Sequence, residues 1–402
     1  MRAYLILVGS ELLNGAMIDT NSIYMAEKLN EIGVEVVGKI FAHDKIEDIK
    51  KSISYAKENA DLVILSGGLG PTIDDLTKEA IGEYLDKALV VDELHKKEME
   101  RKFAERGIKV LTKNLKEVSV IEGSEVFYNE PGIAPAFFIE NISAFPGVPM
   151  ELKNMFPKYL TYIKEKFKLN EKLIVKDYIV WGIPESLLEE KIKDYFTDDR
   201  IFLEFLVKDY GIVVRMVTEE KNSTILNDLS LKLQEVLGDS ILYEGYKPSE
   251  EVLVKKLLEK GLKISLGESC TGGMITEKIV SVSGASGTLV EGIVTYSNES
   301  KVERLRVKEE TLNNYGAVSE ETVKEMMEGL KTSVAIAVSG VAGPLGGTEE
   351  KPVGTVYIGI KLDNEFFINK YLLKGDRERI RIRACYTAIN NLLQILEKRG
   401  CE

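Results

Sequence analysis

The chain has 402 residues with 53 Lys and Arg against 65 Asp and Glu, a formal net charge of −12, which argues against non-specific nucleic-acid binding because that rests on clustered basic residues. At 44% hydrophobic and 29% charged it is ordinary globular material, long enough for two or three domains. No apolar run approaches the roughly 18 residues of a membrane span, and residues 1–4 followed by a strand-like run do not read as a signal peptide, so a cytoplasmic protein with no nucleic-acid or membrane partner is expected.

The first predicted strand, RAYLILVGS (residues 2–10), leads into ELLNGAMIDTNSIYMAEKLNEIG. There Thr20 or Asn21 can cap a helix whose apolar face is Ile23, Met25, Ala26 and Leu29, and Gly33 ends it. Strand VEVVGKIFA, a helix over 46–59 and strand DLVILS follow. Strand–helix alternation predicts an α/β fold with a doubly wound parallel sheet, in which ligands bind at the carboxyl ends of the strands. Two polar clusters fall at those ends. One joins Gly9, Ser10 and Glu11 to Asp19, Thr20 and Asn21; the other, residues 66–75, contains Gly67, Gly68, Gly70, Thr72, Asp74 and Asp75 and enters a helix near Asp75. Its glycines permit close backbone approach to a phosphate, and Thr72 can donate its hydroxyl. Asp74 and Asp75 would repel a bare diphosphate, so a functional pair implies a bridging divalent cation; alternatively one of them only caps the helix.

Residues 173–243 read as strand, helix, two strands turning at residues 208–211, helix and strand. The order β-α-β-β-α-β predicts a small α+β sandwich. Pro184 at a helix start and the lone Trp181 beside it are assigned to packing.

The last domain opens with helix SEEVLVKKLLEKG and reaches the most informative stretch, residues 264–301. An apolar run (Ile264, Leu266) ends in Glu268-Ser269-Cys270-Thr271-Gly272-Gly273, and a helical pattern (Met274, Ile275, Ile279) follows. Small residues and free N–H groups at such a strand-to-helix turn favour an anion or a developing oxyanion. Ser269 sits at its mouth, and Cys270 is a second possible nucleophile. The only histidines, His43 and His95, lie in the first quarter of the chain. A Ser-His-Asp triad therefore requires one of them to reach across from another domain or subunit. The nearby candidate base is Lys301, after the strand-like segment that carries Tyr296; a desolvated lysine can lose its proton near neutral pH. The alternative is a turn whose Ser or Thr caps the helix, with Lys301 on the surface. Cys270, Cys385 and Cys401 lack metal-ligand spacing, so neither a disulfide framework nor a zinc site is expected.

Further on, TSVAIAVSG reads as a buried strand ending in a second Gly-rich loop, residues 340–348, with Gly343 and Gly346, whose N–H groups can cradle a phosphate or simply form a surface loop. PVGTVYIGIKL and EFFINKYLL, joined at Asp363 and Asn364, predict a hairpin. Arg377, Arg379, Arg381 and Arg383 open the final helix; alternate positions cannot all share one face.

The runs VGSELLNG, DTNS, GGLGPTIDD and FPGVPMEL resemble the molybdopterin-binding-fold domain of the CinA (competence/damage-inducible) family, which is MoaB/MogA-like. GESCTGG, VTYSNESK, GAVS, SGVAGPLGGTEEKPVGTVYIG and GDRERIR resemble that family's C-terminal amidase domain. The resemblance implies three parts: residues 1–168 as the MoaB/MogA-like domain, 169–245 as a KH-like connector without a GXXG loop, and 246–402 as the α/β amidase. It implies that the last deamidates nicotinamide mononucleotide, with Ser269 as nucleophile, Lys301 as base helped by Tyr296, no metal, and Thr271, Gly272, Gly273, Gly343, Gly346, Arg377 and Arg383 around the substrate. For the first it implies a metal-dependent ADP-ribose pyrophosphatase, with Glu11, Asn21, Gly68, Gly70 and Thr72 on the substrate and Asp74 and Asp75 on a Co, Mg or Mn ion. Pyridine nucleotide recycling and a homodimer are the wider expectations. A nucleotide- or pterin-binding sensor without turnover is the alternative for the first domain. Ile133 and Ala136 depart from the family pattern, where Thr and Gly are expected in a ligand loop.

Overall fold

The computed structural model describes residues 1–107, 109–169 and 173–399. The chain divides into two compact units, Met1–Ile174 with Glu219–Lys221, and Val175–Thr218 with Asn222–Glu402. Cys401 lies outside the described residues; Cys270 and Cys385 are free and buried.

In the first unit, Leu62–Ser66 is buried at every position because it lies inside a six-stranded sheet. The order is Glu35–Ala42, Arg2–Val8, Leu62–Ser66, Ile142–Phe145, Ala136–Ile139, Glu125–Phe127. The first four strands are parallel, as the strand–helix alternation predicts, but the last two pairings are antiparallel, so Ala136–Ile139 alone runs against the others. Glu140 and Asn141, at φ 45° and 65°, join Ala136–Ile139 to Ile142–Phe145 in a two-residue hairpin, whose twist suits antiparallel strands.

Side chains alternate across this sheet. Ile6, Val8, Val63 and Leu65 pack with Ile49 and Ile53 of helix Ile46–Asn59, while Leu5, Leu7 and Ile64 pack with Met25 and Leu29 of Asn21–Asn30. Ile23, expected on that helix's apolar face, is 61% exposed; two positions from Met25 is roughly 200° around a helix. Nor does Thr20 or Asn21 cap it: the carboxylate of Asp19 accepts the Ser22 N–H at 2.9 Å.

The middle segment, which apart from residues 173–174 and 219–221 belongs to the second unit, forms a four-stranded sheet ordered Phe202–Lys208, Gly211–Glu219, Leu173–Val180, Ile241–Glu244, with helices Glu185–Ile192 and Ser223–Leu237 in the expected sequence. Ile179, Val213 and Leu242 belong to the same apolar cluster as Ile264, Leu266 and Ile389, and Trp181 packs against that cluster.

The final part carries a five-stranded sheet ordered Leu289–Val294, Ile264–Glu268, Val334–Gly340, Thr355–Leu362, Glu365–Leu372. The first three strands are parallel; the last two add the predicted hairpin, closed at Asp363 (φ 55°). Ile264, Leu266, Ile336 and Val338 meet Leu253, Ile275 and Leu392 from Ser249–Glu259, Met274–Val280 and Arg377–Lys398 on one face. Ala335 and Ala337 meet Val323 and Met326 of Glu320–Gly329 on the other. Three layers therefore fix the carboxyl ends of the parallel strands. Among the described residues, no helix is long and apolar enough to cross a membrane.

Candidate active site

Strand Ile264–Glu268 is buried throughout and delivers Glu268, fully buried, to the start of helix Met274–Val280. The Glu268 carboxylate accepts the N–H groups of Gly273 (3.0 Å), Ile275 (3.1 Å) and Thr276 (2.8 Å) and the Thr276 hydroxyl (2.6 Å). The helix is thus capped by a carboxylate from the strand before it, not by Ser269 or Thr271. The chain turns between the two through Gly272 (φ 63°) and Gly273 (φ 92°), conformations that glycine adopts without strain.

This cap uses up most of the donors that the sequence suggested for an oxyanion. The Ser269 N–H donates to Val338 O, Gly272 N–H to Ser269 O and Met274 N–H to Thr271 O. Among the described residues, the N–H groups of Cys270 and Thr271 are the two in residues 269–276 that find no acceptor.

Ser269 is 7% exposed, and its Oγ lies 3.1 Å from Nζ of Lys301. Lys301 comes from helix Asn298–Leu305, which Ser297 caps by accepting the Ser300 N–H. The lysine is 1% exposed; its Nζ also donates to Thr295 O at 2.7 Å, and no carboxylate among the described residues forms an ion pair with it. Desolvation therefore holds its pKa below the ordinary lysine value, against a smaller opposing influence from Cys270. Burial pushes the Cys270 thiol up to about 12, which leaves it protonated and inert at neutral pH. Of the two possible nucleophiles, Ser269 is the one with an amine within hydrogen-bond reach. The second unit contains no histidine.

The pair opens on a cavity of about 300 Å³ lined also by Tyr296, Val341, Gly343, Gly346 and Arg377. Tyr296 does not hydrogen-bond to Lys301 or Ser269; its hydroxyl accepts from Arg377 Nη2 at 3.1 Å, and Arg377 Nη1 donates to Gly343 O at 2.7 Å. Arg383, grouped with Arg377 in the sequence, donates instead to Lys374 O and does not line the cavity. Thr271, Gly272 and Gly273 shape the turn behind Ser269 but are not part of the lining either. Arg381, which sequence reasoning passed over, donates to Cys270 O (Nε, 3.2 Å) and Thr271 O (Nη2, 2.9 Å). The signal for it was its spacing: Arg377 and Arg381 are four apart and share a helix face.

The first unit has a larger cavity, about 690 Å³, at the carboxyl ends of its parallel strands. Glu11, Asn21, Gly68, Gly70, Asp74 and Asp75 line it together with Asp19, Asp44, Glu117 and Glu151, and among the described residues no Lys, Arg or His does. Asn21 Nδ2 donates to Ser66 Oγ (3.0 Å) and Gly147 O (2.8 Å), which fixes its amide. Gly68 (φ 68°) leaves room for Thr77, whose hydroxyl a Cβ there would meet. Thr72 is exposed outside the lining, with its hydroxyl turned to Asp75 (2.5 Å) and Asp74. The helix begins only at Thr77 and has no side-chain cap, so neither Asp74 nor Asp75 caps it. Asp75 instead closes its own turn by accepting the Thr72 N–H at 2.9 Å. Ile133 packs against the Met99–Phe103–Val118 cluster and Ala136 is in a buried strand, so the two departures from the family pattern fall on packing positions outside the cavity.

The fold and sites define a two-unit α/β protein: one unit has a carboxylate-lined cavity at its strand ends, the other a buried serine–lysine pair. Residues 4–165 match the family model "Probable molybdopterin binding domain", and residues 246–396 match the model of the CinA C-terminal domain. The chain is 51% identical to a CinA-like protein of Fusobacterium nucleatum over 99% of this chain and 100% of that one. It is 38% identical to a CinA-like protein of Dictyoglomus turgidum over 98% of each. A solved CinA superfamily protein of Klebsiella pneumoniae is 31% identical over 37% of this chain and 96% of that one, at a TM-score of 0.37. The chain belongs to the CinA family.

Proposed function

We propose that the second unit is a metal-independent amidohydrolase that converts nicotinamide mononucleotide into nicotinic acid mononucleotide and ammonia. The observation that carries this reading is the 3.1 Å contact between two buried groups, Ser269 Oγ and Lys301 Nζ. Neutral Lys301 takes the hydroxyl proton as Ser269 Oγ attacks the carboxamide carbon. The tetrahedral oxyanion accepts from the Cys270 and Thr271 N–H groups, the two in this turn left without partners among the described residues. The ammonium of Lys301 returns the proton to the leaving nitrogen as the C–N bond breaks. Water, deprotonated by the same amine, then cleaves the ester and frees Ser269. Arg377, at the cavity wall beside Gly343 and Tyr296, has guanidinium N–H groups left for the substrate phosphate. The test is ammonia release from nicotinamide mononucleotide, with and without a chelator, by wild type and Ser269→Ala. Release that resists the chelator and vanishes in the variant supports the reading; full activity of Ser269→Ala ends it.

For the first unit we propose ADP-ribose pyrophosphatase activity with a Co, Mg or Mn ion. The cavity's donor set, carboxylates without a basic side chain, suits a hard divalent cation. Among the described residues no three such side chains are clustered around one point, so Asp74 and Asp75 would share the ion with water and diphosphate oxygens. When bound, the ion neutralises the diphosphate and polarises its phosphorus–oxygen bonds. Asn21 and the Gly68 and Gly70 backbone would orient the nucleotide. If this unit binds a nucleotide or pterin without turnover, saturable binding will persist while no product forms with any of these metals. In this reading residues 1–168, 169–245 and 246–402 are pyrophosphatase, connector and amidase of a cytoplasmic homodimer that recycles pyridine nucleotides.

A further inference from the structure

The two unpartnered N–H groups beside Ser269 stand at the ends of two short chains of hydrogen-bonded peptides, and both chains begin at Arg381. Its Nε donates to Cys270 O at 3.2 Å, and that carbonyl belongs to the same peptide as the Thr271 N–H. Its Nη2 donates to Thr271 O at 2.9 Å, the carbonyl of the peptide whose Gly272 N–H donates to Ser269 O at 3.1 Å; that carbonyl in turn shares its peptide with the Cys270 N–H. A cation on a carbonyl oxygen draws electron density along the peptide and makes its N–H a stronger donor, and successive bonds in such a chain reinforce one another.

The same guanidinium fixes where those donors point. Glu268 holds the turn from its far end through the N–H groups of Gly273, Ile275 and Thr276. Arg381 holds it from the near end through two carbonyls, and the fork of a guanidinium sets both at once. A Cβ on Gly272 would come to 3.4 Å from Arg381 Nη2, so the side chain lies directly against the turn. No carboxylate forms an ion pair with Arg381 among the described residues, whereas Arg379 on the same helix faces Asp209.

We infer that Arg381 is a positioning residue for acyl transfer at Ser269: it orients and polarises the Cys270 and Thr271 N–H groups that receive the oxyanion. The inference rests on the serine–lysine reading of the second unit. It predicts an effect on the chemical step and little on substrate binding, because Arg381 does not line the cavity.

The test compares wild type, Arg381→Ala and Arg381→Lys in the full-length protein by two readouts. The first is steady-state deamidation of nicotinamide mononucleotide; the second is the rate at which a fluorophosphonate probe labels Ser269, which needs the same donors and no nucleotide. For Arg381→Ala, kcat and the labelling rate should fall by about 10- to 100-fold, with KM within twofold of wild type. Arg381→Lys should lie between, and added methylguanidine should restore part of the activity of Arg381→Ala. Labelling and kcat within threefold of wild type in Arg381→Ala would overturn the inference. So would a loss confined to KM, or one that methylguanidine and lysine both leave unchanged. Should Arg381→Ala fail to fold by thermal unfolding, the Lys variant decides alone, and equal labelling to wild type overturns the inference. Wild type that is labelled by the probe yet releases no ammonia removes the proposed substrate while leaving Arg381 testable.

Discussion

Glu268→Gln is the substitution whose effect can be worked out most fully from the structure. It preserves shape and removes one acceptor. The carboxylate now serves four donors, two on each oxygen: Gly273 and Ile275 N–H on Oε2, Thr276 N–H and hydroxyl on Oε1. An amide can keep the Gly273 and Ile275 N–H groups on its oxygen, and its NH₂ then faces the Thr276 N–H and hydroxyl in a site with no access to water, since Glu268 is fully buried. The Thr276 hydroxyl can turn to accept from that NH₂, which leaves the Thr276 N–H as the one donor that loses its acceptor; a buried N–H left unsatisfied costs about 1–3 kcal/mol, so a loss of about 2 kcal/mol is expected. The only tryptophan, Trp181, packs on the apolar cluster that contains Ile264 and Ile275, so its fluorescence during urea unfolding reports on this unit. The midpoint should move down sharply with an unchanged slope. Glu277→Gln, at an exposed position on the same helix, is the control and should stay within about 0.5 kcal/mol of wild type. A loss below about 1 kcal/mol for Glu268→Gln would refute the assignment of this carboxylate as the cap of the nucleophile turn.

Lys301→Met should abolish deamidation, a loss of at least about 100-fold, without lowering thermal stability, because the buried amine disfavours the folded state wherever the unfolded chain would be protonated; a clear loss of stability would contradict this. Since only the neutral amine can accept the Ser269 proton, kcat/KM should rise with pH through a midpoint below the ordinary lysine value, and a profile falling over that range would exclude Lys301 as base. Lys78 is buried, donates to Lys116 O and Glu117 O, and burial lowers its pKa to about 8. The unfolded state therefore binds more protons between about pH 8 and 10.5, so stability relative to Lys78→Met should rise across that window, by roughly 3 kcal/mol in all; a flat difference in urea unfolding would count against it. Gly68→Ala should destabilise the first unit by about 1–3 kcal/mol, because φ 68° is unfavourable for alanine and its Cβ would meet the Thr77 hydroxyl; an unchanged melting temperature would show that the turn relaxes freely.

What the sequence settled by itself is local and periodic. Strand–helix alternation gave the parallel part of the first sheet, the hairpin at Asp363 followed from its flanking strands, and the family motifs marked the Ser269 turn and the 66–75 loop. These features depend on backbone propensity and short-range spacing, which neighbouring residues encode. The tertiary structure decided the rest. Lys301 is a candidate base because its helix buries it against Ser269 with no carboxylate among the described residues paired to it, and desolvation comes from elements that are distant in sequence. Glu268, rather than a serine or threonine, caps the helix after the turn because strand and helix meet end to end. Arg377 and Arg381 reach the site while Arg383 turns away because the pitch of the helix, set against this particular sheet, selects the residues that face it. Ile23 was misplaced for the same reason: which stripe of a helix is buried is chosen by the surface it packs on, and that surface is assembled from strands far away in the chain.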